Sequence, residues 1–395
     1  MSKKKFLATL TMKELKKTSL APFLITLILV LSSANVHAFE VTDTIILERH
    51  GGYYGIAYDS GKDEIYLTNG DFDLVYAISD STNTVVATIP VGRTPSGVAY
   101  DPAKGELFVT NFRSDSVSVI SDNNYTVIAT IPVGNQPMGI TYDSGKDEIF
   151  VTNYGSDTVS VISGSTNTVV ATIPVGRQPS ALAYDSGKGE IFVGHAGCNQ
   201  VLVISDSTNT VVANITVENE PISLAYDPGK EEIFVANHGS DTVSVISDSN
   251  YTVIATIPVG RQPCALAYDS GNSQIYVANY YSFSISVISD SNYTVIATIP
   301  LEGPPQAIGY DYGKQKLFVA YSESHRVSVI SVSSLPSPSP SISEDPSPSP
   351  SISESPNPSI LEDPLFIVVS FLVVTIFLAA LFYRRKHQIK TRALI

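Results

Sequence analysis

The dipeptide Tyr-Asp occurs at Tyr58, Tyr100, Tyr142, Tyr184, Tyr226, Tyr268 and Tyr310, and every step between copies is 42 residues. Seven copies in unbroken register leave few folds open. A fixed period of this length marks a unit that buries its faces only against copies of itself. In the second copy, four short runs (97–100, 107–111, 117–121 and 126–133) are rich in Val, Ile, Phe and Thr, with local alternation such as Val117-Ser118-Val119. Between them lie Asp-Pro-Ala-Lys-Gly, Phe-Arg-Ser-Asp-Ser and Asp-Asn-Asn-Tyr, which are turn chemistry. No stretch inside the repeats carries helical periodicity. Four strands in each repeat predict an all-β, seven-bladed β-propeller with four-stranded antiparallel blades.

A ring of blades must close. The seventh copy stops after its third run, 327–331, while an unassigned strand-like run, 41–47, precedes the first Tyr-Asp. The expectation is that this N-terminal strand completes the last blade and removes a bare edge.

The ends of the chain differ from its body. Residues 1–38 place six lysines ahead of an apolar run at 20–31 and small residues up to Ala38, the pattern of an export signal with a mature start near Phe39. An uncleaved anchor is the alternative. Residues 335–364 repeat Pro-Ser-Pro-Ser with no apolar periodicity, and read as an extended spacer of ~3 Å per residue. Residues 365–383 run 19 residues without a charge, long enough at ~1.5 Å per residue to span a bilayer as one transmembrane helix. Arg384-Arg385-Lys386 follows, so 384–395 reads as a cytoplasmic tail. The resulting order is signal peptide 1–38, propeller 39–334, stalk 335–364, membrane helix 365–383 and tail. That makes a cell-surface, single-pass protein. The chain carries a formal net charge of −14, and with the basic ends removed the body is more acidic still. That excludes nucleic acid as a partner, since its recognition needs a basic footprint.

Strand alternation sorts the connections onto two faces. Turns after the first and third strands form a bottom face with nearly uniform sequences, such as Asp59-Ser-Gly-Lys-Asp and Asp143-Ser-Gly-Lys-Asp. There the recurring Asp is expected to cap a tight turn, in preference to a ring of cation-binding carboxylates. Asn69, Asn111, Asn153, Asn237 and Asn279 are expected to cap loops on the opposite face.

Variation between repeats concentrates on that top face. Its candidate binding residues are Arg93, Arg177 and Arg261, at one repeat position in alternate blades, with Tyr154, Tyr280 and Tyr281. Three arginines round one opening suit an anionic group; the competing reading pairs them with Asp115, Asp157 and Asp241 on the same face. His50, His195, His238 and His325 fall on the top at spacings that predict no shared metal, and Cys198 and Cys264 are expected to be free thiols. Asn124, Asn214, Asn250 and Asn292 head Asn-x-Ser/Thr sequons expected on the exposed rim, making them N-glycosylation candidates in an exported chain.

The second-strand strings Phe150-Val151-Thr152-Asn153, Tyr66-Leu67-Thr68-Asn69 and Tyr276-Val277-Ala278-Asn279 resemble the YVTN family of β-propellers. The longer pattern Thr-Ile-Pro-Val-Gly-x-x-Pro-x-x-x-x-Tyr-Asp is similar to archaeal surface-layer and cell-surface proteins of methanogens. This resemblance covers 39–334 and implies a seven-bladed propeller at the cell surface; it carries over no catalytic residue. The chain has no Trp, no Cys-x-x-Cys-His and no Gly-x-Ser-x-Gly, and no cofactor is expected. The expected function is therefore a non-enzymatic adhesion, binding or surface-layer module. Its partners would be other cell-envelope proteins or surface glycans, with one C-terminal helix in the membrane. The alternative is an exported lactonase- or lyase-like propeller enzyme with its site at the channel mouth.

Overall fold

The computed structural model describes residues 39–322 and 324–332. The export signal, stalk, membrane helix and tail expected from the sequence lie outside the described residues. The described residues contain 28 strands in seven four-stranded sheets. Each sheet is one repeat, so the chain is a seven-bladed β-propeller of antiparallel blades. The second blade is typical, with strands Pro95–Asp101, Glu106–Asn111, Ser116–Ser121 and Thr126–Pro132 running from the axis outward.

The last blade closes as the sequence implied. Glu40–Gly51 pairs antiparallel with Ser324–Ser331, so the sheet holds three strands from the end of the ring and one from its start. Ile45 and Leu47 of the closing strand are buried in a cluster with Val327, Val329 and Tyr53. Phe39 and Val332 pack into the next cluster, so both ends of the described chain leave the ring on the bottom face.

Burial explains the composition of each strand. The second strand is covered on both sides by neighbouring blades, so all six residues of Glu64–Asn69 are buried, with Ile65, Tyr66 and Leu67 apolar in succession. The outermost strand Thr84–Pro90 alternates between exposed and half-buried residues instead. One aromatic per blade occupies the same second-strand position: Tyr66, Phe108, Phe150, Phe192, Phe234, Tyr276 and Phe318, all fully buried. Each contributes roughly 1.5–3 kcal/mol through area removed from water.

The bottom face fastens the blades to one another. Asp59 Oδ1 accepts the backbone N–H groups of Gly61 at 2.8 Å and Lys62 at 3.2 Å, and Asp143, Asp185 and Asp311 repeat this cap. The tyrosine of each Tyr-Asp pair reaches across the blade boundary. Tyr226 stands between Asp185 of the fourth blade and Asp248 of its own. Lys188 of the fourth blade closes the group, its ammonium 3.3 Å from Asp248 Oδ1 and hydrogen-bonded to the Asp248 carbonyl. Burial and the facing Asp185 push the Asp248 carboxyl up to about 6, against the pull of Lys188.

Asn-Tyr-Thr in the outer turns has a second bottom-face role. Tyr125, Tyr251 and Tyr293 hold left-handed backbone (φ 57°, 56° and 55°), a strained conformation for a bulky residue. Their hydroxyls donate to Glu64 (2.7 Å), Glu190 (2.5 Å) and Glu232 (2.5 Å) of the preceding blades. Lys62, Lys188 and Lys230 sit 5.2–5.5 Å from the same rings. These inter-blade clasps offset the strain.

The asparagines that end the second strands are not loop caps in the main. Asn111 is fully buried, and its side-chain amide donates to Ser118 Oγ at 2.9 Å on the neighbouring strand; Asn153, Asn237 and Asn279 do the same. Among the described residues Asn69 alone of the five is seen in the expected role, accepting the Asp71 N–H at 3.2 Å.

Candidate functional site

Where the seven innermost strands meet the axis, three rings of side chains line a central cavity of about 530 Å³. The deepest ring is aliphatic, one residue per blade: Ile56, Val98, Ile140, Leu182, Leu224, Leu266 and Ile308. Above it lies a ring of Gly, Ala and Ser. At Gly97 and Gly139 the next blade comes so close that an added Cβ would sit 2.6 Å from the carbonyl oxygens of Met138 and Ser180. The third ring, nearest the top, is where the blades differ: Tyr54, Ser96, Met138, Ser180, Ile222, Cys264 and Gln306.

Hydroxyl and thiol bridges hold this wall. Thr110 Oγ1 donates to the Met138 carbonyl of the next blade at 2.7 Å while accepting the Gly97 N–H at 2.8 Å. The fourth and sixth blades carry Gly194 and Ala278 at this threonine position, and the bridge comes instead from the inner strand. Ser180 Oγ donates to the Pro221 carbonyl at 3.0 Å, and the Cys264 thiol reaches the Pro305 carbonyl at 3.2 Å. Burial pushes the Cys264 thiol up to about 12, so it stays protonated and serves the wall as a donor. Both cysteines are free, as expected.

The mouth is off-axis. A cavity of about 610 Å³ opens over the first to fifth blades, walled by Tyr54, Phe112, Tyr154, Gln178 and Ile222, with Arg113 on one side and Glu220 and His238 on the other. His238 Nδ1 and Glu220 Oε2 are 3.0 Å apart. Gln178 and Glu220 have left-handed backbone (φ 53° and 56°), and their side chains lie over Gly197 and Gly239, where a Cβ would collide with the first and crowd the second. Gly70 makes room for the Tyr54 ring in the same way, since its Cβ would come within 2.7 Å of that ring.

The six candidate residues read from sequence are dispersed by the fold. Tyr154 lines the mouth and Tyr280 the central cavity. Tyr281 lies outside both, stacked edge-on against Tyr280 at 5.2 Å, with the Arg261 guanidinium 5.9 Å from its ring. Arg93, Arg177 and Arg261 are exposed and line neither the central cavity nor the mouth; Arg93 borders a shallow surface groove with Phe112, Arg113 and Asn135. The ion pairs expected from Asp115, Asp157 and Asp241 are absent among the described residues. Those carboxylates accept backbone N–H groups of Gln136, Gln178 and Gln262 at 2.8, 3.0 and 2.8 Å. The arginines precede the left-handed residue of the turn, and it is the following residue that turns inward.

His195 is buried in the place of the recurring Asn, where burial lowers its imidazole below the ordinary value. His50 packs edge-on against Phe72, with ring centres 6.2 Å apart. No group of three or more His, Cys, Asp or Glu that could hold a metal occurs among the described residues. Asn124, Asn250 and Asn292 are exposed in outer turns, each Oδ1 accepting from the Thr two residues on, and Asn214 is exposed on an outermost strand. Sequence reasoning passed over Arg113, Gln178 and Glu220. For Gln178 and Glu220 the available signal was a long polar side chain at a turn position the backbone would give to Gly, Asn or Asp.

The fold and this site define a seven-bladed β-propeller with a ligand-sized axial cavity and an asymmetric mouth. No family model matches the chain, and no curated protein does. Among solved structures it is similar to hydrazine synthase of Kuenenia stuttgartiensis, with a TM-score of 0.64 and 19% identity over 72% of this chain and 97% of that one. At that identity the likeness shows the fold alone, and the fold by itself selects no activity.

Proposed function

We propose that this chain is a non-enzymatic cell-surface binding module of surface-layer or adhesion type. It displays the propeller on a membrane-anchored stalk and makes contact through the mouth on the top face. One observation carries the reading: the repeat position of Phe112 and Tyr154 changes from blade to blade, and these two rings stand with Tyr54 round a concave opening. The third strand of the last blade ends on the opposite face. Envelope proteins or surface glycans are the partners such a surface suits.

The enzymatic alternative draws on the His238–Glu220 contact, a base with an orienting carboxylate at the mouth. Its weakness is that the side chains beside it in the mouth wall include no Ser or Cys hydrogen-bonded to the imidazole.

The test is capture of envelope material by the full-length chain. Tyr54→Ala, Tyr154→Ala and Arg113→Ala should each reduce capture at least tenfold, and Arg177→Ala should leave it unchanged. Undiminished capture by the mouth variants rejects the reading. Loss of a hydrolytic or lyase activity in His238→Ala, with capture intact, would favour the enzyme.

A further inference from the structure

The chemistry of the mouth narrows the ligand class, an inference that rests on the mouth being the contact surface. We propose that it binds a neutral saccharide: a sugar ring laid against the aromatic wall, with its hydroxyls held by amide, hydroxyl and paired charged groups.

Three features of the wall converge on that class. The first is apolar. Tyr54, Phe112 and Tyr154 come from three successive blades and face one cavity of about 610 Å³, within the roughly 300–1,000 Å³ typical of small-ligand sites. Aromatic faces accept the C–H face of a sugar ring while leaving its rim of hydroxyls free.

The second feature is the polar set. A vicinal diol presents donors and acceptors side by side, and a carboxamide answers with both, as Gln178 can. Ser96 adds a hydroxyl to the same wall. Arg113 and Glu220 stand on opposite sides with opposite charge, so the wall has no sign to offer a phosphate, a carboxylate or a cation. The remaining titratable neighbour, His238, is bonded to Glu220 at 3.0 Å.

The third feature is preorganisation. Gln178 and Glu220 occupy left-handed positions where Asn, Asp or Gly would relieve strain, and each lies over a glycine that a side chain would block. The Gln178 backbone is also fixed, its N–H donating to Asp157 Oδ1 at 3.0 Å. Polar arms set in advance lose little freedom on binding, which matters for weakly held, heavily hydrated ligands.

The experiment titrates the full-length chain with glucose, galactose, mannose, N-acetylglucosamine and their disaccharides, followed by calorimetry and by tyrosine fluorescence. The chain has no Trp to mask the tyrosine signal. Saturable binding is expected for at least one neutral sugar. Tyr154→Ala and Gln178→Ala should weaken it tenfold or more, and Tyr281→Ala and Arg93→Ala should not. Gly197→Ala, which disturbs the Gln178 side chain without touching the ligand, should also weaken it, with circular dichroism confirming that each variant is folded. No saturable binding, binding indifferent to Tyr154 and Gln178, or a strong preference for uronates or phosphosugars would each overturn the proposal. Mouth-dependent envelope capture without sugar binding would overturn the saccharide and leave the binding module standing. Sugar binding at the mouth without envelope capture would do the reverse.

Discussion

The bottom and top faces of the ring are built from the same seven repeats, yet they have diverged to different degrees. On the bottom, the Asp cap and the Tyr–Asp–Lys contact recur with few changes around the ring, because every blade boundary poses the same packing problem. On the top, the third ring of the cavity runs from Tyr54 to Gln306 with no two neighbouring blades alike. Uniformity marks contacts between blades, and variation marks contact with something that lacks the ring's symmetry. The exceptions on the bottom support this. Gly164 and Val332 stand where the other five blades place the outer-turn Asp; Lys104, which faces Gly164, turns to Asp147 at 2.6 Å, and Asn272 replaces the partner Lys at the Val332 boundary, its amide donating to Asp269 Oδ2 at 2.8 Å.

If the inter-blade contacts carry stability and the top does not, the largest effect belongs to closure. Removing residues 39–51 strips Ser324–Ser331 of its partner and uncovers Ile45 and Leu47's side of the cluster. The expected outcome is loss of a cooperative thermal transition and the appearance of aggregates by size exclusion, since the last blade gains a bare edge. An unchanged melting curve would show that the ring does not depend on the latch.

A middling effect comes from the buried carboxyl pairs. Asp248, facing Asp185, Tyr226 and Lys188, titrates at about 6 in the folded chain, above its ordinary 3.8. The folded state therefore binds the proton more tightly than the unfolded state. Stability from this group is complete below pH ~4 and is lost as pH rises through about 6. Asp248→Asn mimics the protonated form, and should match the parent at pH ~3 while exceeding it by roughly 3 kcal/mol at pH 7.5. Denaturant unfolding at the two pH values measures the difference, and an equal gain at both would remove the carboxyl pair as its cause.

The smallest effects set the faces directly against each other. Tyr251→Phe deletes the donor to Glu190 and leaves a left-handed aromatic without its clasp, for a loss of about 1–2 kcal/mol. Arg177→Ala on the top should stay within ~0.5 kcal/mol. Equal losses in chemical denaturation would erase the distinction between a structural face and a recognition face.

The period, strand count, interior of each blade and closing strand could all be read from residues 41–331, because strand pairing inside a blade is local and the 42-residue step repeats it seven times. The Asp caps were equally legible, since they bond within three residues. The mouth was not. Tyr54, Gln178 and Glu220 are separated by more than a hundred residues in parts, and ring closure alone brings them to one opening. Arg93, Arg177 and Arg261 look like a set in sequence, yet a turn that sends one residue outward and the next inward divides them from the cavity their neighbours line. Local chemistry settled the blades, whereas the direction of a side chain at the axis is fixed only once seven of them have met.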